Sequence, residues 1–317
     1  MDIRALPVSQ GLSWVKQAID LGARNPRAVF GASLLLIIAM YTAVIAVALL
    51  AAMMAGAGDA TTAGQPDMRM AAMVAFPLFV LILLAVPVLL GGLMHVIRES
   101  ESGRPVRARD VFAPLGQPQG RRLALLGLVQ MAVAVVGGML FTALAGADYW
   151  KDYMDAMRGA MSGTVPTMPQ PDHPGLMFLL QLVFNYFSYA LMLFSIPLML
   201  FSGASLGEAV RGSLRAALRN VVPNLLAGAL FMGGLLVAAM LVVLLIGLAM
   251  LVGNLIHGTV GSLLALLVGM SFASVAMVLL VGAAYLAWRD TFGDAASGGA
   301  ASGDAAASPL LPHSIEV

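Results

Sequence analysis

Apolar residues occur along this chain in six long runs, separated by short polar segments. Between Asn220 and Trp288 there is no Asp, Glu, Lys or Arg. A helix needs only about 20 apolar residues to cross a bilayer, and a water-exposed surface of that length would carry charges. The pattern therefore predicts spanning helices at about 28–54, 72–97, 123–146, 175–202, 222–252 and 259–288.

The boundary between the last two runs depends on a short stretch of turn-forming residues. If no turn formed there, five helices would remain and the C-terminus would lie on the other side of the membrane. The residues that can form this turn are Gly253, Asn254, His257, Gly258 and Gly261.

Composition agrees with a chain that is solvated by lipid. Hydrophobic residues make up 60% of it and charged residues 10%, whereas a soluble domain carries about 25% charged residues. The fold class predicted is an all-α polytopic membrane protein with six transmembrane helices. The net charge of +1 gives no reason to expect nucleic acid as a partner, and the absence of cysteine excludes disulfides and thiolate metal ligands.

Basic residues indicate the orientation. With six spans, only Arg69, Lys151 and Arg158 fall on one side, which places both chain ends in the cytoplasm. The predicted domains are a cytoplasmic amphipathic segment at 1–26, a transmembrane domain at 27–290 and a disordered cytoplasmic tail at 291–317. The fourteen basic residues on the cytoplasmic side are Arg4, Lys16, Arg24, Arg27, Arg98, Arg104, Arg107, Arg109, Arg121, Arg122, Arg211, Arg215, Arg219 and Arg289.

Residues 9–24 are predicted to form an amphipathic helix at the membrane interface. Trp14 is expected at headgroup depth, Ser9 is expected to cap the helix, and Asn25-Pro26 is expected to end it. Its apolar face contains Leu12, Val15 and Ile19, and its charged face contains Lys16, Asp20 and Arg24.

This pattern recurs along the chain. A shift of 195 residues places Asn25 on Asn220 and the charged stripe of 9–24 on the arginines of 205–219, and segment 107–122 is a weaker third copy. We interpret the chain as three parallel units, each a basic interfacial helix followed by a helical hairpin, whose basic helices contact anionic lipid. The alternative is that basic residues at cytoplasmic helix starts are common to helical membrane proteins.

Two sets of residues in the spans are candidate sites. Gln181, Asn185, Ser188 and Tyr189 form a polar face of the fourth helix, which suits either interhelical hydrogen bonds or a small-ligand pocket. Small residues recur every four positions in the sixth helix and predict close packing, either on the fifth helix through Gly234 and Ala238 or in a homodimer. These small residues are Gly261, Ala265, Gly269 and Ala273.

No pattern indicates catalysis, a cofactor or a metal. Gly203-Ala204-Ser205-Leu206-Gly207 matches the G-x-S-x-G nucleophile motif, but a membrane helix precedes it and no suitable acid and histidine follow. Ser205 followed by Glu208 is better interpreted as a capping box that opens a helix. His95 is the one ionisable residue in the predicted spans, and its position near Arg98 favours an interfacial role.

Several stretches resemble a family of uncharacterised six-helix inner-membrane proteins of proteobacteria. The resemblance implies a bacterial inner membrane and six helices, and it supplies no activity or catalytic residue. It is carried by Leu6-Pro7-x-Ser9-x-Gly11-x-x-Trp14, Arg24-Asn25-Pro26, Pro87-Val88-Leu89-Leu90-Gly91-Gly92-Leu93-Met94, Arg98, Gly103 and Pro105.

Taken with the charge-free spans, these features predict a non-enzymatic inner-membrane protein with a structural, accessory or regulatory role. Its expected partners are the lipid bilayer and either another membrane protein or a second copy of the chain. The alternative is a transporter or permease for a small or lipidic solute that uses the polar face of the fourth helix.

Overall fold

A computed structural model describes residues 3–56, 68–161, 163, 165 and 167–304. These residues form nine α-helices and one 3₁₀ helix, and no strand occurs among them. The helices are α1 Gln10–Arg24, α2 Pro26–Gly56, α3 Met68–Glu101, the 3₁₀ helix Ala108–Gly116, α4 Pro118–Ala145, α5 Tyr149–Met161, α6 Pro174–Phe201, α7 Leu206–Arg219, α8 Val221–Asn254 and α9 Gly258–Asp304.

Six of these helices, α2, α3, α4, α6, α8 and α9, are long and apolar enough to cross a membrane, with mean hydropathies between 1.7 and 3.2. The predicted all-α fold with six spans is confirmed. The turn between α8 and α9 is present as well. The Ile256 and His257 N–H groups donate to the Gly253 carbonyl, and His257 Nδ1 lies 2.7 Å from Thr259 Oγ1 in the first turn of α9.

The packed part of the chain extends beyond the predicted domain boundary at residue 290. Thr291 and Phe292 are buried, and the helix is kinked at Phe292, where φ is −115° and ψ is 17°. Residues 57–67, between the first two predicted spans, and residues 305–317 of the predicted tail lie outside the described residues.

One end of the bundle contains the starts of α2, α4 and α8, the ends of α3 and α6, and the part of α9 near residue 290. Fourteen of the seventeen basic residues lie at this end, which we call the basic end. Between residues 3 and 293 only six acidic residues accompany them, so this end is strongly cationic. These six are Asp20, Glu99, Glu101, Asp110, Glu208 and Asp290.

The element order follows the predicted three units of a short helix and a hairpin. Two of the three short helices pack on the hairpin before them: the 3₁₀ helix packs on α2 and α3, and α7 packs on α6. The first short helix, α1, packs on the last hairpin, α8 and α9, so the three units close into a ring.

Buried positions in α1 and α7 coincide under the 195-residue shift suggested by the sequence. In both helices small residues dominate the buried face, which lets the helix axis approach its neighbour closely. For example, a Cβ at Gly11 would overlap the carbonyl oxygen of Pro223 in α8. The coinciding buried pairs are Trp14 and Ala209, Ala18 and Ser213, Leu21 and Ala216, and Gly22 and Ala217.

This packing shows which face of α1 contacts the protein. Trp14 is only 1% exposed, so its indole packs inside the protein and not among lipid headgroups. Leu12 and Ile19, on the predicted apolar face, are 42% and 59% exposed, so that face is turned away from the rest of the protein. The small residues beside Trp14 permit an approach to α8 and α9 that leaves the larger aliphatic side chains outside. Ser9 holds the N-cap position but makes no capping hydrogen bond.

Fully buried side chains are concentrated at the basic end. Val29, Leu93, Ile196 and Trp288 are each at most 1% exposed. No residue is buried in the described segments 73–86 of α3 and 174–187 of α6, which lead toward the opposite end. Burial of α3 and α6 is therefore concentrated at the basic end of the bundle.

The contact between α3 and the 3₁₀ helix depends on Gly92, because a Cβ there would overlap the backbone carbonyl of Val111. We expect Gly92→Ala to destabilise the protein by about 1–3 kcal/mol, the usual cost of overpacking. Thermal unfolding in detergent measures this effect. The matched control is Gly138→Ala, a helical position with open space around it among the described residues, and equal melting temperatures for the two variants would contradict the expectation.

Candidate functional site

Seven polar side chains at the basic end form a hydrogen-bonded group that joins α1, α3 and α9. We call this group the polar cluster. It lies where α1 runs alongside residues 285–290 of α9, next to the end of α3. Its members are Gln10, Trp14, Gln17, Glu101, Tyr285, Arg289 and Asp290.

Asp290 binds α1 through two donors. Its Oδ2 accepts a hydrogen bond from Trp14 Nε1 at 2.9 Å and another from Gln10 Nε2 at 2.6 Å. The indole is buried, so its N–H needs an acceptor inside the protein. The Asp290 side chain is 19% exposed, and Arg289 Nε lies 3.3 Å from its other carboxylate oxygen. This carboxylate therefore fixes the position of α1 on α9.

Glu101 makes the corresponding link from α3 to α9. Arg289 Nη1 lies 2.5 Å from Glu101 Oε1, and the Tyr285 hydroxyl donates to Oε2 at 2.8 Å. Arg289 also donates to Gln17 Oε1 at 3.3 Å, so this one guanidinium contacts all three helices. Charge-assisted bonds of this kind are stronger than neutral ones, because at least one partner is ionised.

The segment before α1 is held by a second polar contact. The Leu6 N–H donates to Asn220 Oδ1 at 2.9 Å, and Asn220 Nδ2 donates to the Arg4 carbonyl at 3.0 Å. The Arg4 N–H donates to the Thr291 carbonyl at 2.9 Å. Asn220 is 1% exposed, so its buried amide uses its donor and its acceptor on the same backbone segment.

The Ser205 motif is a helix cap, as the sequence indicated. The Glu208 N–H donates to Ser205 Oγ at 3.4 Å, and the Ser205 N–H donates to Glu208 Oε2 at 2.9 Å. The Ser205 hydroxyl also donates to Glu208 Oε2, and the two bonds that this carboxylate accepts from Ser205 hold the pKa of Glu208 below its usual range. The carboxylate thus stabilises the start of α7 at neutral pH, and this stabilisation would be lost as the pH falls through that lowered pKa.

The predicted polar face of α6 does not converge on one enclosed site. Gln181 donates to Asn185 Oδ1 at 2.7 Å on the exposed part of the helix. Ser188 is buried, and its hydroxyl makes no hydrogen bond within the described part of the chain. Tyr189 is 62% exposed. Two of the four residues therefore bind each other, while the other two face different surroundings.

The predicted stripe on α9 is packed closely at one position. A Cβ at Gly261 would overlap the Asn254 side chain of α8, whereas a Cβ at Gly269 would meet no described atom within 4 Å. Ala265 and Ala273 are half-buried. The close approach to α8 occurs at Gly253 rather than at Gly234, which was the expected position. The axes of α8 and α9 are thus closest at the turn that joins the helices.

Sequence reasoning missed the polar cluster. Glu101 and Arg289 lie at the ends of the second and sixth spans; Arg289 was counted only as a positive charge beside a span, and Glu101 was not singled out. The cluster can hold three helices in register, but it presents no pair of free titratable groups facing a cavity. Among the described residues, no three His, Asp or Glu side chains are placed to hold a metal ion.

Residues 73–200 match the sequence model of a family described as "Predicted integral membrane protein (DUF2189)". This segment contains most of α3, the 3₁₀ helix, α4, α5 and nearly all of α6. The chain is an integral membrane protein. The family description carries no activity, and no curated protein and no solved structure matches the chain.

The Trp14 bond to Asp290 can be measured by a double-mutant cycle. Asp290→Ala leaves a buried indole N–H without an acceptor, and we expect a loss of about 1–3 kcal/mol of unfolding free energy. In a Trp14→Phe background the same change should cost less, because no donor remains on that ring. Unfolding in mild detergent gives the four free energies.

The control for this cycle is Asp20→Ala, which removes an exposed carboxylate from α1. We expect little effect from it, since surface charges contribute weakly to stability. Additive effects of Asp290→Ala and Trp14→Phe would show that this bond does not hold α1 in place.

Proposed function

We propose that the protein is a non-enzymatic component of the bacterial inner membrane with a structural, accessory or regulatory role. The observation that carries this proposal is the polar cluster. Both of its carboxylates accept bonds from other helices, Glu101 from Arg289 and Tyr285, and Asp290 from Trp14 and Gln10. Its ionisable groups are thus engaged in holding the helices together.

An enzyme or an ion-coupled transporter needs ionisable groups that face a substrate or an ion. Here the spans contain no mid-membrane Asp, Glu, Lys or Arg, and the charges at the ends of α3 and α9 bind one another. The exposed surface of the described residues consists of an apolar part along the spans and a cationic part at the basic end. Those surfaces suit contacts with lipid and with other membrane proteins.

We place the basic end in the cytoplasm, with both chain termini on that side. Positive charge is retained on the cytoplasmic side of bacterial membranes, and fourteen basic residues lie at this end. Most of them are exposed, including Lys16, Arg122, Arg211 and Arg215. Each basic residue near an anionic leaflet contributes about 1 kcal/mol to membrane attraction.

The proposed role is tested by excising the protein from the membrane in polymer nanodiscs without detergent. Native mass spectrometry should then show the chain in constant ratio with another membrane protein or with a second copy of itself. Isolation as a lone chain in repeated preparations, together with solute flux in proteoliposomes, would overturn the proposal.

A permease is the second candidate, and the uneven packing of the bundle favours it. The basic end is closed by buried side chains, whereas α3 and α6 have none in segments 73–86 and 174–187. Transporters alternate between states that are closed at one end and open at the other. If the protein is a permease, replacing Gln181 and Asn185 together by Leu should abolish solute flux in proteoliposomes. Unchanged flux would remove the polar face of α6 from the transport path.

The proposed orientation can be tested with single cysteines, because the natural chain has none. Ser102→Cys lies after α3 at the basic end, and Asp152→Cys lies on α5 at the opposite end, both at exposed positions. In cells with a permeabilised outer membrane, an impermeant maleimide should label the variant at 152. The variant at 102 should react only after lysis, and the reverse result would invert the topology.

A further inference from the structure

Two grooves on the membrane-facing surface of α9 join into one trough. The first, of about 440 Å³, lies between α2 and α9, and the second, of about 400 Å³, lies between α8 and α9. Ser271 and Val275 of α9 line both grooves. The trough exists because α2 and α8 both pack on α9 while leaving this strip of its surface uncovered.

The trough is cationic at one end and apolar along its length. At the basic end it begins at Arg27, in the first turn of α2, and then passes Phe30 and Leu34. Farther along, Val242 and Leu245 of α8 form its wall. A charged mouth at the end of the span and an apolar channel at the depth of the hydrocarbon match the two parts of a phospholipid.

The polar atoms inside the trough are already bonded. Ser271 Oγ donates to the Leu267 carbonyl at 2.8 Å, and Ser274 Oγ donates to the Phe30 carbonyl at 3.2 Å. Neither hydroxyl proton is therefore free to bind a polar solute there. The residues at the base of the trough, Gly31, Ser271 and Ser274, have small side chains. They leave room for an alkyl chain beside the helices.

More positive charge surrounds the mouth. A Cβ at Gly31 would lie 2.9 Å from the Ala108 side chain, so the 3₁₀ helix borders the trough at this point. Arg107 and Arg109 on either side of Ala108 are exposed, as is Arg24 at the end of α1. Arg24 donates to the Glu101 carbonyl at 3.2 Å, and it makes no ion pair with another described residue. This local field favours an anionic headgroup.

We propose that the trough binds one anionic phospholipid, with its phosphate at Arg27 and an acyl chain between α2, α9 and α8. The proposal deepens the expected contact with anionic lipid by assigning it to one site. Only the identity of the leaflet in which this lipid lies rests on the proposed function. Binding of lipid by the purified chain depends neither on the orientation of the protein nor on its role.

The test is native mass spectrometry of the full chain in detergent, titrated with phosphatidylglycerol or with phosphatidylcholine. The first phosphatidylglycerol should bind more tightly than the first phosphatidylcholine. Arg27→Gln should weaken it about fivefold, the equivalent of about 1 kcal/mol for one basic residue near the headgroup. Ser271→Phe should remove the first-bound lipid by filling the trough where the two grooves join.

Matched controls distinguish binding at this site from general electrostatic attraction between the protein and anionic lipid. Arg219→Gln removes an exposed arginine that does not line the trough, and Ser262→Phe adds the same ring on α9 outside the trough. Ser262 and Ser271 each donate to the carbonyl four residues earlier, so both changes remove the same local bond. Equal affinity for the two lipids, or equal effects of the variants and their controls, would overturn the proposal.

Discussion

Apolar helices in a bilayer gain little from the hydrophobic effect when they touch, because lipid tails are as apolar as their side chains. This constraint explains where the protein is packed. The part of α9 from Gly258 to Gly293 has 36 residues and is about 54 Å long at 1.5 Å per residue, whereas the hydrocarbon core is about 30 Å thick. Several turns of α9 must therefore lie beyond the hydrocarbon. Two large side chains on those turns, Trp288 and Phe292, are at most 2% exposed, and water around this part of the protein makes the burial of apolar surface favourable.

Closure of the ring follows from this location. Two of the three short helices pack on the hairpin that directly precedes them, but α1 packs on the hairpin made last. The basic end cannot be complete until α9 has been synthesised and α1 has docked on it. Polar bonds then specify the register: Asn220 binds the backbone before α1, and Asp290 binds Trp14. Buried polar groups suit this task, because a shifted register would leave them unsatisfied.

Features that depend on local physics could be predicted from the sequence. The spans follow from hydropathy, the end of α1 at Asn25-Pro26 follows from proline geometry, and the cap at Ser205 follows from the spacing to Glu208. The face of α1 that is buried in the protein could not be found in this way. A search for large aliphatic side chains selects Leu12 and Ile19, which are exposed. In close packing of helices the small residues form the contact, and which of several small residues does so depends on the partner.

The polar cluster was beyond sequence reasoning because Glu101 and Arg289 are 188 residues apart and neither stands in a recognisable motif. Counting positive charges treats all fourteen basic residues of the basic end alike. The structure separates them into partly buried residues and exposed ones. Arg289 is 32% exposed and needs an ionised partner, because a partly desolvated charge without one is costly. Exposed arginines such as Arg27 and Arg211 need none and keep their charge available at the surface. The same residue type therefore holds the helices together where it is covered and leaves its charge at the surface where it is not.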